Sequence, residues 1–289
     1  MPEGDTIFRA ARAMHRVLAG HRVTRFESVF PALTRVQDDR AVVGRTIARV
    51  ESVGKHLLVV FSDDLILRTH MRMSGSWHLY RPGEAWQRPA RDLRILIGTD
   101  DWLAIAFTVH DAEFETAHTL QRQTSIGRLG PDLLNPDFDA AEALARLRAR
   151  GEEAIADAIL NQQVIAGIGN VYKSEVLFVS RLNPFAPVSA LTDEELRTIL
   201  ATGQRLLKAN VTSLTESTIV TYVGLRRTTG RMDPSDRLWV YGRARRPCRR
   251  CGTPIDIAKQ GRDARLTYWC PRCQPARAPS AAPARSDAQ

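Results

Sequence analysis

The feature that most constrains this chain lies near its C-terminal end, in the pattern Cys248-x2-Cys251-x18-Cys270-x2-Cys273, outside which the sequence has no cysteine. Two Cys-x-x-Cys pairs at this separation let two tight turns each present a pair of thiolates to one tetrahedral ion. Four protein ligands leave no open position, so the site reads as one structural Zn2+. Two disulfides are the alternative, and a reducing compartment disfavours them. Between the pairs, Gly252-Thr253-Pro254-Ile255 and Arg265-Leu266-Thr267-Tyr268-Trp269 suit a β-hairpin, whose loop would carry Arg262 and Arg265.

The same region concentrates charge. From Thr221 to Cys273 there are 13 Lys and Arg against 4 Asp and Glu, an excess as large as the +9 of all 289 residues. Clustering of this kind is the electrostatic footprint of nucleic-acid binding. No apolar run approaches the roughly 18 residues of a membrane span. The start is unlike a secretory signal, so a soluble, cytoplasmic protein with no membrane partner is expected.

The chain opens Met1-Pro2-Glu3-Gly4-Asp5. Removal of Met1 would leave a proline with a free secondary amine. An α-amino group has an ordinary pKa of about 7.7 to 8, so part of it is neutral and nucleophilic at physiological pH. Attack on a sugar anomeric carbon would give an iminium without further proton loss, and Glu3 could act as the neighbouring acid. The bland alternative is an ordinary helix start.

Ile7, Ala11, Met14 and Leu18 recur at helical spacing from Asp5 to Leu18, with Gly20 as a stop. Short β-prone runs follow at Thr46–Val53, His56–Phe61, Leu65–His70, Leu93–Ile97 and Trp102–Phe107, separated by breakers. They predict a β-sandwich or barrel. Periodicity lapses from about Thr116 to Asp132, read as an interdomain connection. Helices are expected over Ala140–Arg150, Glu152–Gln162, Asn170–Ser180 and Asp193–Asn210, the last opened by a Thr192/Glu195 capping box. The tail is rich in Ala, Pro, Arg and Ser and predicts disorder. The division is therefore 1–118, linker 119–135, helical domain 136–235, zinc finger 236–274 and tail 275–289.

Between the second and third of these helices lies Gln162-Gln163-Val164-Ile165-Ala166-Gly167-Ile168-Gly169-Asn170. The glycines would leave backbone N–H groups at a helix N-terminus open to a phosphate, with Asn170 as an added donor. By itself this is also what an ordinary helix hairpin looks like.

Two helices about a glycine turn, a four-cysteine finger and an N-terminal Pro-Glu together resemble the Fpg/Nei family of bifunctional DNA glycosylases, over residues 1–274. The resemblance implies an α+β multidomain protein: an N-terminal β-sandwich with a leading helix, a helix-two-turn-helix domain and a C-terminal zinc-finger β-hairpin. It also implies a monomer acting at the nucleoid on damaged double-stranded DNA held between the domains. By position, Pro2 matches the Schiff-base nucleophile, Glu3 the general acid and Lys55 a phosphate-contacting lysine that assists β-elimination. Arg265 matches a phosphate-gripping arginine implicated in δ-elimination. Asn170 matches a phosphate-binding asparagine, Arg128 a DNA-contacting linker arginine, and Cys248, Cys251, Cys270 and Cys273 the metal ligands. Val240-Tyr241-Gly242-Arg243 fits the same pattern. The loop His70-Met71-Arg72-Met73-Ser74-Gly75 matches the segment that enters DNA, with Arg72 as a polar contact. Met73 is either a wedge filling the space of a flipped nucleotide or a core residue.

Fpg-type members carry an Asp-Pro-Arg-Arg-Phe-Gly segment that Phe107–Glu115 lacks, and the first six residues look like the Nei (endonuclease VIII) type. Removal of oxidised pyrimidines followed by β,δ-elimination is the implied activity. Thr6 departs from a glutamate common at that position, and Met73-Ser74-Gly75 is more Fpg-like. Two alternatives remain: an Fpg-like enzyme for oxidised purines, and a zinc-finger DNA-binding protein without catalysis.

Overall fold

The computed structural model describes residues 2–122, 126–212, 226–231 and 233–276. Their contacts divide into two units, Met1–Phe138 with Leu207–Leu225, and Asp139–Leu206 with Arg226–Gln289.

The first unit begins with α1 (Gly4–Leu18), whose Ile7, Ala11, Met14 and Leu18 are buried as their helical spacing requires. Then come β1 (Arg25–Ser28), α2 (Pro31–Arg40), β2 (Ile47–Val53), β3 (His56–Phe61), β4 (Leu65–His70), β5 (Ser76–Tyr80), β6 (Leu93–Gly98), β7 (Leu103–Phe107), β8 (Asp111–Glu115) and α3 (Ala117–Arg122). The strands form two antiparallel sheets, ordered β1-β6-β7-β5 and β2-β3-β4-β8. One apolar cluster joins Leu57, Val59 and Leu67 of one sheet to Trp77, Leu79, Ile95 and Ile97 of the other, and the N-terminal part is the expected β-sandwich. Trp77 is fully buried, and its Nε1 donates to Thr69 Oγ1 at 3.1 Å.

β3 is buried along its whole length. Leu57 and Val59 face the other sheet, whereas Leu58 and Val60 are covered by Leu120 of α3 and Ile126 of a 3-10 turn at Ile126–Arg128. A strand covered on both faces has no polar side, hence its unbroken apolar run. The three strands absent from the sequence reading are β1, β5 and β8, and all three lie at sheet edges. Edge strands carry polar side chains that blur the alternating signal. β8 reads Asp-Ala-Glu-Phe-Glu, and Arg68 of the adjacent β4 pairs with its Glu113 and Glu115. α2, which the sequence analysis does not predict, begins at Pro31, a favourable first helical position. The expected connection after Thr116 contains α3 and the 3-10 turn.

The second unit contains α4 (Ala140–Arg148), α5 (Ile155–Leu160), α6 (Asn170–Val179), α7 (Asp193–Thr212), β9 (Asp256–Gln260) and β10 (Arg265–Trp269). α7 is grouped with this unit as far as Leu206. Its capping box forms as expected: Glu195 N donates to Thr192 Oγ1 at 3.2 Å and Thr192 N to Glu195 Oε2 at 2.8 Å. α5 is shorter than expected, because Ile155 N and Ala156 N donate to Ala186 O and Pro184 O, at 2.9 and 3.2 Å. Together with the bridge between Ala154 and Pro187 they hold Ala154 extended, after a turn at 151–152. Part of the helical stretch to 235, at 213–225 and 232, and the tail from 277 lie outside the described residues.

Candidate functional site

Pro2 is buried and Glu3 fully so, at the N-cap position of α1. Glu3 O accepts from Thr6 N at 2.9 Å and Ile7 N at 3.1 Å, which begins the helix with both residues held at its mouth. Asp5 is also fully buried, and Thr6 Oγ1 donates to its Oδ1 at 3.2 Å. Two buried carboxyl groups thus lie at the N-terminus of α1.

Lys55 occupies the two-residue turn between β2 and β3, where Val53 pairs with His56 and Gly54 adopts φ +59°. Gly54 N donates to Asp132 Oδ2 at 2.7 Å, so the segment that begins at Arg128 is tied to this turn. Arg128 itself is exposed. Strand register places His56 opposite His70 and His70 opposite Asp111, which brings the Lys55 turn and the loop after β4 to one end of one sheet.

That loop is tightly specified. Gly75 N donates to Met71 O at 2.8 Å, and a Cβ on Gly75 would lie 2.6 Å from the same oxygen, so no side chain fits there. Thr108 Oγ1 buttresses it by donating to Ser74 O at 2.8 Å. Met71 is buried in the core, whereas Met73 is 62% exposed, which removes the core reading of Met73. Arg72 adopts φ +50°; its N donates to His70 Nδ1 at 3.1 Å and its guanidinium pairs with Asp111. Burial, then the Arg72 charge, lowers His70 to about 4, against the pull of Asp111. His70 is thus neutral at physiological pH, with Nδ1 as acceptor.

In the second unit the glycine turn ends at α6 as expected, with Gly169 as N-cap and Asn170 as first residue. Gly167, at φ +101°, is the position that requires glycine. The Gln162 side chain closes the turn, donating to Leu160 O and Ile168 O at 2.8 Å each and accepting from Gly167 N at 3.1 Å. Asn170 is mostly buried, and its Nδ2 donates to Leu266 O of β10 at 2.9 Å. An amide nitrogen carries two protons, so one remains for another acceptor.

The four cysteines are free thiols whose sulfurs all lie within 4.8 Å of one another. Cys248 and Cys273 Sγ are 3.9 Å apart, and Cys251 and Cys270 Sγ 3.4 Å. A tetrahedral zinc with bonds of about 2.3 Å requires sulfur separations near 3.8 Å, so the set fits one Zn2+. Arg250 N and Cys273 N point at Cys248 Sγ and Cys270 Sγ, at 3.4 and 3.5 Å, as donors to thiolates do. The hairpin pairs Asp256–Gln260, rather than Gly252–Ile255, with Arg265–Trp269. Gly252–Ile255 is used instead by the first cysteine turn, where Cys248 N donates to Thr253 O at 2.8 Å and Gly252 takes φ +77°. Arg262 lies in the hairpin turn and Arg265 begins β10, exposed and 3.4 Å from Asp263.

The basic cluster divides in two. Arg243 caps Trp239 O and Pro247 O, Arg249 donates to Leu238 O, and Arg250 donates to Phe178 O and lies over the Phe178 ring at 4.5 Å. These arginines hold the finger together. Arg245, Arg246, Lys259, Arg262, Arg265 and Arg272 remain exposed.

Beyond Asn170, the sequence assigns no role to the polar residues of α6, Lys173, Ser174 and Glu175, although the helix is buried from Asn170 through Phe178. Ser174 Oγ accepts from Tyr268 N at 3.3 Å. Glu175 is fully buried and accepts from the Trp239, Val240 and Tyr241 N–H groups, each at 2.8 Å, and from the Thr228 hydroxyl. Its burial pushes the carboxyl up, against the pull of those donors. The available signal was a cluster of polar residues in an otherwise apolar helix, which by itself looks like a solvated face.

The chain matches family models described as the formamidopyrimidine-DNA glycosylase N-terminal domain over residues 1–112, its H2TH domain over 129–221, and the zinc finger found in FPG and IleRS over 246–276. It is 40% identical to the "Probable endonuclease 8 2" of Streptomyces coelicolor, over 96% of each chain. It is 37% identical to the "DNA-(apurinic or apyrimidinic site) lyase Nei2" of Mycolicibacterium smegmatis, over 96% of this chain and all of that one. Among solved structures, the Lactococcus lactis Fpg in complex with abasic-site DNA superposes with a TM-score of 0.77 at 23% identity, covering 95% of this chain and 100% of that chain.

Proposed function

Because this chain belongs to the Fpg/Nei family of DNA glycosylases, we propose that it is a DNA glycosylase and AP lyase of base excision repair, acting on oxidised pyrimidines through a Schiff base at Pro2. The observation that carries the reading is the buried Pro2-Glu3 pair at the mouth of α1, where a carboxyl can be held next to an unmasked proline nitrogen.

With Met1 removed, the Pro2 nitrogen attacks C1′ of the damaged nucleotide. The C1′–base bond breaks and the base leaves with a proton. The amine's own proton then passes to the ring oxygen as the C1′–O4′ bond opens, with Glu3 placed to relay it, and the C1′=N bond of an iminium forms. The resulting iminium acidifies the C2′ protons; loss of one breaks the C3′–O bond, and a second elimination breaks the C5′–O bond. Hydrolysis of the iminium returns the free amine. Lys55 neutralises a phosphate flanking the reacting sugar, and Asn170 and Arg265 hold phosphates with the second amide proton and the exposed guanidinium. Arg72, whose Asp111 partner is exposed enough for a phosphate to compete, and Arg128 contact the backbone. Met73, already exposed, fills the space left in the base stack. The structural zinc on Cys248, Cys251, Cys270 and Cys273 keeps the hairpin that carries Arg265 in shape.

The short connection between β7 and β8, residues 108–110, supports the pyrimidine preference. Val109 within it is buried, and none of the three residues is an arginine or phenylalanine that could fill the opposite strand. A monomer working in the cytoplasm at the nucleoid completes the reading. No helix among the described residues is long and apolar enough to cross a membrane.

Borohydride trapping on duplexes bearing an abasic site, thymine glycol or 8-oxoguanine tests the proposal, with Met1 removal checked by mass spectrometry. A covalent complex formed by the processed protein and lost in Pro2→Gly, strongest among base lesions on thymine glycol, is the expected result. Binding without any trapped complex would sink the catalytic reading, and preferential trapping on 8-oxoguanine would transfer the protein to the purine branch.

A further inference from the structure

α6 carries a fully buried ammonium, Lys173, that neither the zinc centre nor the strand-cutting steps use. Its Nζ donates to Thr267 Oγ1 at 2.8 Å and to Leu266 O at 3.4 Å. Thr267 Oγ1 passes its own proton to Gln260 Oε1 at 2.9 Å, and Gln260 Nε2 donates to Pro184 O at 3.1 Å. Every proton in this chain has one direction, set by an ammonium that can only donate. Asp157 of α5 acts on Lys173 as its counter-charge and packs against the hairpin turn, where a Cβ on Gly261 would lie 2.5 Å from Asp157 Oδ1.

Burying an ammonium is costly, and an apolar side chain of similar volume could fill the same space between helix and hairpin. What the ammonium adds is direction. It grips β10 at Leu266 and Thr267, immediately after Arg265, and it shares the Leu266 carbonyl with Asn170 Nδ2. One oxygen thus connects the Asn170 amide, the Lys173 ammonium and the start of the strand that carries Arg265.

We propose that Lys173 is a positioning residue for DNA binding: by clamping Leu266 and Thr267 it fixes the spacing between the Asn170 amide and the Arg265 guanidinium, so that both meet phosphates of one backbone. The inference rests on the reading above that Asn170 and Arg265 bind phosphate. Lys173 itself touches no DNA, and its effect is expressed through those two groups.

The test measures the affinity of the zinc-loaded protein for a duplex containing a tetrahydrofuran abasic analogue, at several salt concentrations. Lys173→Met, Lys173→Arg and Thr267→Val are made in the wild-type background and in Asn170→Ala/Arg265→Ala. We expect one zinc per chain in all variants and about 10-fold weaker binding in Lys173→Met with a shallower salt dependence. Lys173→Arg should restore part of the affinity, and Lys173→Met should have no further effect in the double-variant background. Thr267→Val removes the acceptor without altering the lysine, and it should weaken binding in the same non-additive way even if Lys173→Met fails to fold. Wild-type affinity in Lys173→Met and Thr267→Val beside weak binding by Asn170→Ala/Arg265→Ala overturns the positioning role alone. An equal loss in both backgrounds overturns it too, since Lys173 would then act elsewhere. Wild-type binding by Asn170→Ala/Arg265→Ala removes the site reading and this inference with it.

Discussion

The β-sandwich and the finger with its supporting helix reach order by different means. The sandwich closes two sheets over one large apolar cluster, with Trp77, Phe61, Leu57, Ile95 and Met14 among many fully or nearly fully buried side chains. Among the described residues, the cluster beneath the finger has Phe178, Val240, Cys248, Ile255 and Cys270 as buried members, with Val179, Trp239 and Tyr268 partly buried against them. So small a core cannot offset the entropy of ordering the segment. Directed bonds supply the rest: four thiolates on zinc, the Glu175 carboxylate on three backbone amides, the Lys173 chain, and three arginines that donate to backbone carbonyls. Hydrophobic burial tolerates some change of shape, whereas a metal site and a saturated carboxylate do not. The exposed basic residues on the finger are therefore held by its least tolerant interactions.

The largest expected effect comes from removing zinc. Structural zinc contributes about 10–16 kcal/mol in isolated fingers, so Cys248→Ser or a strong chelator should unfold residues 246–274 and abolish duplex binding. Hydrogen exchange should show the sandwich amides still protected. Simultaneous loss of protection in both regions would break the comparison.

Next comes a matched pair. Glu175→Ala strands three buried N–H groups at about 1–3 kcal/mol each, for a loss of about 4 kcal/mol. Leu57→Ala opens a cavity in the sandwich at a cost of about 3 kcal/mol. Urea denaturation followed separately in each unit measures both, and a negligible cost for Glu175→Ala would show that the polar bonds are not what orders the finger.

Acid should separate the regions further. His78 lies on the outer face of β5 between Ser76 Oγ and Tyr80 OH, each at 2.9 Å, and the Tyr80 oxygen accepts from Gln87 N. A neutral ring, with one nitrogen donating and the other accepting, can satisfy both hydroxyls. Burial, with a smaller push from Arg88, lowers His78 to about 4 from 6.5. A lowered histidine pKa stabilises the fold above the unfolded value, and this contribution is lost as pH falls from 6.5 towards 4. The loss at His78 is on the order of 3 kcal/mol. His56 and His70, lowered to about 3 and about 4 mainly by burial, act in the same direction. Melting temperature against pH should fall more gently in His78→Gln.

Met73 belongs to neither core. Met73→Ala should change stability by less than about 0.5 kcal/mol while slowing borohydride trapping on base lesions more than on a pre-formed abasic site. A clear loss of stability would place Met73 back in the packing.

The metal ligands, the start of α6 at Asn170, the Lys55 turn and the capping box of α7 were all legible in the sequence. Each depends on residues within a few positions of one another, where spacing alone sets the geometry. The same locality misled elsewhere: Gly252–Ile255 has the composition of a strand, but the cysteine turn uses it. β2, also at a sheet edge, was legible, whereas β1, β5 and β8 were not, being runs of only four or five residues with polar side chains interspersed. The function of Asp132 at the Lys55 turn, and the division of the arginines into structural and exposed sets, depend on partners far along the chain.

The sequence by itself determined the chemistry available to this protein: a proline that processing can expose, a glutamate beside it, four thiols for zinc and a basic C-terminal region. Only the tertiary structure decided which polar groups are structural. Asn170, Lys173, Ser174 and Glu175 look like the wet side of a helix until the hairpin and the segment before it close over them. A polar side chain becomes structural only when its acceptor or donor arrives from elsewhere in the chain, and no local pattern encodes that arrival.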